Sequence, residues 1–282
     1  MAVKIVTDST SDISAELARE LGITVVPLTV MFGRQTYLDR VEITTDEFYR
    51  RLSGEDIFPT TTQPSPGAFA EVYAKLLQGT DEILVLVISG KLSGTFQSAA
   101  SAVTLAGGEG RIEVLDSRST AMGLGLLAIA AAGLAVQPGA CLSSVSQVIR
   151  EKITCSQVVM MFDTLKYLAK GGRIGKAQGL LGSMLQLKPV LTVKDGEVSP
   201  LARLRSMSAG SEYLYNFVKG FARIEELAVE HATTPEAADA LAARLKVIYP
   251  DKRIYRSVVS PVLGTYTGPN VLSVSVLSGD RI

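Results

Sequence analysis

Two hydroxyl-rich segments could hold an anionic group. Pro59-Thr60-Thr61-Thr62-Gln63-Pro64-Ser65-Pro66-Gly67 precedes one predicted helix, and Ser89-Gly90-Lys91-Leu92-Ser93-Gly94-Thr95 follows the apolar run Ile83 to Ile88 and opens the next. The first turn of a helix carries unpaired N–H groups and a partial positive charge, so small hydroxyl residues and glycine there suit a bound anion. Gly171-Gly172-Arg173 reads either as a tight turn with a solvated arginine or as a guanidinium placed to grip an anion through two donors. Thr7-Asp8-Ser9-Thr10-Ser11-Asp12 reads equally as helix capping and as part of the anion site's floor. Neither hydroxyl-rich turn carries an obvious acid, base and nucleophile together, so the pattern points to holding rather than to cutting or joining.

Other chemistries fail on spacing. Gly175-Lys176 resembles the end of a phosphate-binding loop, but Lys170 and Ala177 occupy its flanks wrongly. Ser93 lacks the glycine two positions earlier that a nucleophile elbow requires. His231 is the single histidine, which argues against a zinc site and leaves a structural role ahead of a Ser-His-Asp triad. Cys141 and Cys155 have no metal or redox spacing and read as reduced, buried thiols. No catalytic residue, metal or cofactor is expected.

The elements that must position these residues alternate through the first half. Lys4-Ile5-Val6 and Ile23 to Leu28 read as strands, with a helical face at Ile13, Leu17 and Leu21 between them. Ser65 reads as an N-cap with Pro66 in the first helical position, followed by the stripe Phe69, Val72, Tyr73, Leu76 and Leu77. The unbroken apolar run from Ile83 to Ile88 fits a strand covered on both faces. A helix from about Thr95, a strand over 111–115 and a helix from about Thr120 to Val136 continue the rhythm. Beyond Pro138-Gly139 come a helix near Leu142 to Lys152, a strand at Val158 to Phe162, and a short helix over 177–187. A hairpin turns at Lys194-Asp195-Gly196, and further strands enclose helices at 209–222 and 235–248. The expected architecture is α/β with two domains. Residues 1–155 form a doubly wound parallel-sheet unit carrying the anion site, and residues 156–282 form a mixed-sheet unit.

Composition narrows the classes. The 282 residues hold 28 basic and 28 acidic side chains, so no overall field draws the chain to nucleic acid or an anionic membrane. With 47% hydrophobic and 20% charged residues the chain is globular, and the stretch from Ala121 to Val136 falls short of a membrane span. The amino end runs straight into a strand without a signal-peptide pattern, giving an expectation of a cytoplasmic protein without stable membrane insertion.

The residues resemble the DegV family. The resemblance is carried by Ile5 to Asp12, Val26-Pro27-Leu28, Thr61 to Gly67, Ser89 to Thr95, Leu115-Asp116-Ser117, Lys170 to Ile174, Leu187-Lys188-Pro189 and Gly264 to Pro269, in family order across the chain. It implies a bacterial fatty-acid-binding protein of two α/β domains with a long-chain acyl group in a tunnel between them. In some members a separate fatty acid kinase then phosphorylates the bound acid. Carried over by position, the carboxylate contacts fall on Thr61, Ser93 and the Gly94 N–H. Thr62, Arg173 and Thr267 are further candidate ligand-binding residues. Arg205 matches the arginine that the family places at the cavity mouth. Tyr266 stands where the family has histidine, replacing a group that can become a cation near neutral pH by a phenol. The competing readings are an acyl hydrolase, a small-ketone kinase related in fold, and an anion-sensing regulator without an apolar tunnel.

Overall fold

The computed structural model describes residues 3–80, 82–181 and 187–279. β1 (Lys4–Asp8) ends in a 3-10 turn over Ser9–Ser11 and leads to α1 (Ala15–Leu21), which Ser14 caps by accepting from Leu17 N. β2 (Ile23–Val26) stops two residues short of the expected strand, because Pro27 has no N–H to offer a ladder. The chain leaves the sheet there. β3 (Thr29–Phe32) and β4 (Gln35–Leu38) form a hairpin, and α2 (Thr45–Gly54) follows. β5 (Thr60–Thr62) pairs with β3, Thr61 opposite Val30. The threonines expected to form a turn are thus the outer strand of a small antiparallel sheet ordered β4-β3-β5. Three consecutive β-branched residues favour that pleated state.

α3 (Pro66–Leu76) begins as expected, with Ser65 Oγ accepting from Ala68 N and Phe69 and Tyr73 fully buried. β6 (Ile83–Val87), α4 (Thr95–Leu105) and β7 (Ile112–Asp116) complete a parallel sheet ordered β2-β1-β6-β7, and every residue of β6 is buried. α5 (Ala121–Ala135) and α6 (Leu142–Ile153) precede β8 (Ser156–Phe162). After α7 (Lys166–Lys170) a 3-10 helix spans Gly175–Leu180, and residues 182–186 of the expected helix lie outside the described residues. β9 (Lys188–Lys194) and β10 (Glu197–Leu204) form the expected hairpin, with Asp195 and Gly196 both at positive φ. α8 (Met207–Lys219), β11 (Ile224–His231), α9 (Pro235–Ile248), β12 (Ile254–Val258), α10 (Pro261–Thr267) and β13 (Val271–Ser278) finish a mixed sheet ordered β10-β9-β8-β13-β11-β12. Both cysteines are free, but Cys141 is exposed and Cys155 half-buried rather than enclosed.

α5 lies between the two large sheets. It packs on β1, β2 and β6 on one side and on β8, β11 and β13 on the other. Its sequence has no polar stripe because nearly all of it is enclosed, Gly133 alone being exposed. Two glycines let both sheets come close. A Cβ on Gly125 would lie 2.5 Å from Ser11 O, and one on Gly123 would lie 3.2 Å from Val158 Cβ.

The turn after β1 is the junction of the remaining elements. Asp8 accepts from Thr10 N and, across the sheet, from Ile88 N, each at 2.8 Å. Ser9 Oγ donates to Asp39 at 2.7 Å and accepts from Leu28 N at 3.0 Å. Arg40 donates to the carbonyls of Ser9 and Ile13. Asp12 accepts from Ser260 N at 3.1 Å, and its carbonyl accepts from Ser257 Oγ. Glu230 accepts from Met122 N at 3.0 Å and from Ser273 and Ser275. Burial pushes all four carboxyl groups up, Asp12 to about 7 and Asp39 to about 6, with Arg40 opposing the shift in Asp12 and Asp39. Glu230 is also raised by Asp12, whose Oδ2 is buried without a hydrogen-bond partner.

A folded-state carboxyl at about 7 against 3.8 in the unfolded chain means that the folded protein holds the extra proton between those values. Stability from this group is therefore full at low pH and is lost as pH rises toward 7. Asp12→Asn keeps the acceptor for Ser260 N and removes the titration. Urea unfolding at pH 5 and pH 8 should show a stability drop smaller by about 2–3 kcal/mol in the variant than in the wild type. Equal drops would remove Asp12 as the source.

Candidate functional site

Alternation along the mixed sheet builds one wall of a cavity. Val158, Met160 and Phe162 of β8 face it, while Val159 and Met161 pack on the opposite face of the sheet among α8 and α9. Leu191 and Val193 of β9 extend the wall. Ile88 beyond β6, Leu28 beyond β2, and Val262 and Leu263 of α10 close the other side. The cavity holds about 80 Å³, well below the usual several hundred for a small-molecule pocket. It is a slot rather than a chamber.

Polar groups gather where four segments meet. β5 supplies Thr61, whose Oγ1 lies 2.6 Å from Tyr266 Oη on α10. The pleat turns Thr60 and Thr62 outward, so Thr62 is exposed and does not line the cavity. Ser93 lines it just before α4, with Oγ 2.8 Å from Thr95 Oγ1. Gly94 is the N-cap residue of α4 and has no side chain to cap that end, while Ser93 Oγ accepts from Thr95 N at 3.3 Å. The next N–H groups of α4 thus stand beside the Ser93 hydroxyl as donors for an anion. Gln63, not singled out by the sequence, also lines the cavity, with its amide against Gly94.

Arg173 stands exposed at the rim. It donates to Leu92 O and Gly171 O, and its guanidinium lies 5.2 Å from the Tyr266 ring centre. Among the described residues it has no carboxylate partner. Lys91 and Lys176 pair instead with Glu197. Arg205 is exposed just past β10 and lies outside the lining, as does Arg203. Tyr266 is carried on α10 rather than on a turn, and Gly268, at φ 77, ends that helix. Thr267 lines the cavity and is buried. Thr10 also reaches the lining, while Asp8, Ser9 and Asp12 serve the junction described above.

Among the described lining residues there is no Asp, Glu, His, Lys or Cys. His231 ends β11 on a different cleft, and burial pushes its imidazole below the ordinary value. Ser93 and His231 do not share a cavity, so the two do not assemble as a triad. No His, Cys, Asp or Glu cluster among the described residues could hold a metal, and no described helix is long and apolar enough to cross a membrane. The arrangement offers hydroxyl and N–H donors and one guanidinium at the end of an apolar slot. It suits an anionic head with a slender apolar tail, and a long tail requires the walls to part beyond the roughly 80 Å³ open in this conformation.

A model of the DegV family, described as an uncharacterised protein family, matches residues 2–279. A DegV domain-containing protein of Caldanaerobacter subterraneus subsp. tengcongensis is 36% identical over 276 residues, covering 96% of this chain and 97% of that one. A DegV family protein from Thermus thermophilus, solved for its fatty acid binding, superposes with a TM-score of 0.89 at 35% identity, over 99% of this chain and 100% of that one. DegV of Bacillus subtilis, solved as a fatty acid binding protein, gives 0.88 at 29% identity, over 99% and 100%.

The rim depends on a close approach. A Cβ on Gly171 would lie 2.4 Å from Tyr266 Cδ1. Gly171→Ala should cost about 1–3 kcal/mol of stability by overpacking and turn the ring away from Thr61. In a Tyr266→Ala background the same change should cost little. Equal costs in the two backgrounds, read from chemical denaturation, would place the clash elsewhere.

Proposed function

This chain belongs to the DegV family, and from that footing we propose that it binds a long-chain fatty acid non-covalently, tail in the slot and carboxylate at the rim. The observation that carries the reading is the slot's apolar wall ending on Ser93, the start of α4 and the Thr61–Tyr266 pair, with no carboxyl, imidazole, amine or thiol among the described lining residues. A sixteen-carbon tail leaving water gains roughly 0.8 kcal/mol per methylene, about 11 kcal/mol gross before ordering is subtracted. The head group's contacts then orient the acid more than they retain it. On this reading the protein is a carrier rather than an enzyme. Residues 1–155 supply Thr61, Ser93 and the start of α4, and residues 156–282 add Arg173 and Tyr266 and cover the tail with the face of β8 and β9.

The same reading brings the carboxylate to the surface beside Arg173, within reach of a separate fatty acid kinase that would form an acyl phosphate. Arg173 supports this, since it is exposed and has no carboxylate partner among the described residues. The phenol of Tyr266 would then act as a neutral hydrogen-bonding group, where imidazole could add charge.

Solvent extraction of the protein purified from bacterial cells, with mass spectrometry, should recover close to one fatty acid per chain. Calorimetry should show Ser93→Ala weakening palmitate binding by about 1.5–3 kcal/mol, roughly ten- to a hundredfold, and Thr61→Val acting in the same direction. His231→Ala should leave binding intact. No lipid recovered and no palmitate or oleate bound would end the carrier reading. Ester hydrolysis lost in both Ser93→Ala and His231→Ala would put a hydrolase in its place.

A further inference from the structure

One polar side chain in the cavity wall makes none of the hydrogen bonds at the rim. Thr120 is only 6% exposed and contributes to the lining, and its Oγ1 is buried without a hydrogen-bond partner. The other threonines of the interior wall are satisfied, Thr10 by Asp8 and Thr192 by the carbonyl of Val158. An orphan hydroxyl against apolar surface is costly, and native interiors rarely keep one without use.

The local structure explains why Thr120 is left over. It is the N-cap residue of α5, where a threonine normally accepts from the N–H two or three positions on. Here the Met122 N–H donates to Glu230 instead, at 3.0 Å, and Thr120 makes no side-chain capping bond. The backbone on either side is held in the left-handed region at Arg118 and Ala121, φ 50 and 53. Ala121 is fully buried and has no glycine's freedom to adopt that angle. A strained helix entry, a cap taken over by a remote carboxyl and a spare hydroxyl therefore coincide in the cavity wall.

We propose that Thr120 is a specificity-determining residue, a second polar point that favours an acyl chain bearing a mid-chain hydroxyl over a saturated one. This rests on the fatty-acid reading given above. A hydroxyl on the chain both donates and accepts, so it completes the Thr120 hydrogen bond, whereas a methylene leaves it bare. Thr120→Val keeps the shape and removes the polar atom. A role confined to packing or capping would change the affinity for every acid alike, so the ratio between acids is the diagnostic quantity.

The test measures dissociation constants for stearate and for two mid-chain hydroxystearates differing in hydroxyl position, in the wild type and in Thr120→Val. The preference for at least one hydroxystearate over stearate should fall by about 5- to 20-fold in the variant, with stearate binding tightened. A preference unmoved within about twofold for both hydroxy acids would overturn this inference alone. Failure of all three acids to bind the wild type would overturn the fatty-acid reading, and this inference with it.

Discussion

Four buried carboxyl groups around the end of β1 constrain everything else in the molecule. A carboxylate taken out of water must be paired, hydrogen-bonded or protonated, and here each remedy fixes a different element. Asp8 ties β1 to the end of β6, and Asp39 and Arg40 bring the β3–β4 hairpin onto the same turn. Asp12 binds the start of α10, and Glu230 binds the start of α5. Because α10 carries Tyr266 and Thr267 and Thr120 is the N-cap residue of α5, part of the polar geometry of the cavity is set from a cluster that mostly stands behind it. Thr10, Leu28 and Ile88 belong to both.

The apolar part of the cavity follows from a simpler rule. A strand presents alternate residues to opposite faces, so β8 gives Val158, Met160 and Phe162 to the slot and keeps Val159 and Met161 for the packing of α8 and α9. The slot is the seam that remains where the mixed sheet meets the small sheet and the carboxyl ends of the parallel strands. Ligands of open parallel sheets bind outside those strand ends, and the two hydroxyl-rich segments stand there. Thr61 and Ser93 reach the lining by different routes, one on a strand and one before a helix.

Local signals accounted for much of this arrangement. The Ser65-Pro66 cap, the unbroken apolar run of β6 and the Lys194-Asp195-Gly196 hairpin act over a few residues and could be read directly. The small sheet could not, because Thr60–Thr62 becomes a strand only by pairing with β3, about thirty residues earlier in the chain. α2 was readable in principle. Thr44 and Glu47 have capping-box spacing, and Thr44 Oγ1 accepts from Glu47 N at 3.2 Å. Arg205 and Thr62, suggested by position in a motif, stand outside the lining because strand pleat and exposure decide where a side chain goes. Gln63 and Thr120 matter only through neighbours distant in sequence, Gly94 and Glu230 in turn.

The placement of α5 has a consequence for synthesis. Part of the surface that buries this helix comes from β8, β11 and β13, which leave the ribosome after it does. At ordinary elongation rates the delay is on the order of ten seconds. During that interval a helix with no polar face has one sheet to lean on and one side open to water. The growing chain therefore passes through a sticky stage that the finished protein never shows, and a holdase chaperone would find its target in the stretch from Ala121 to Ala135.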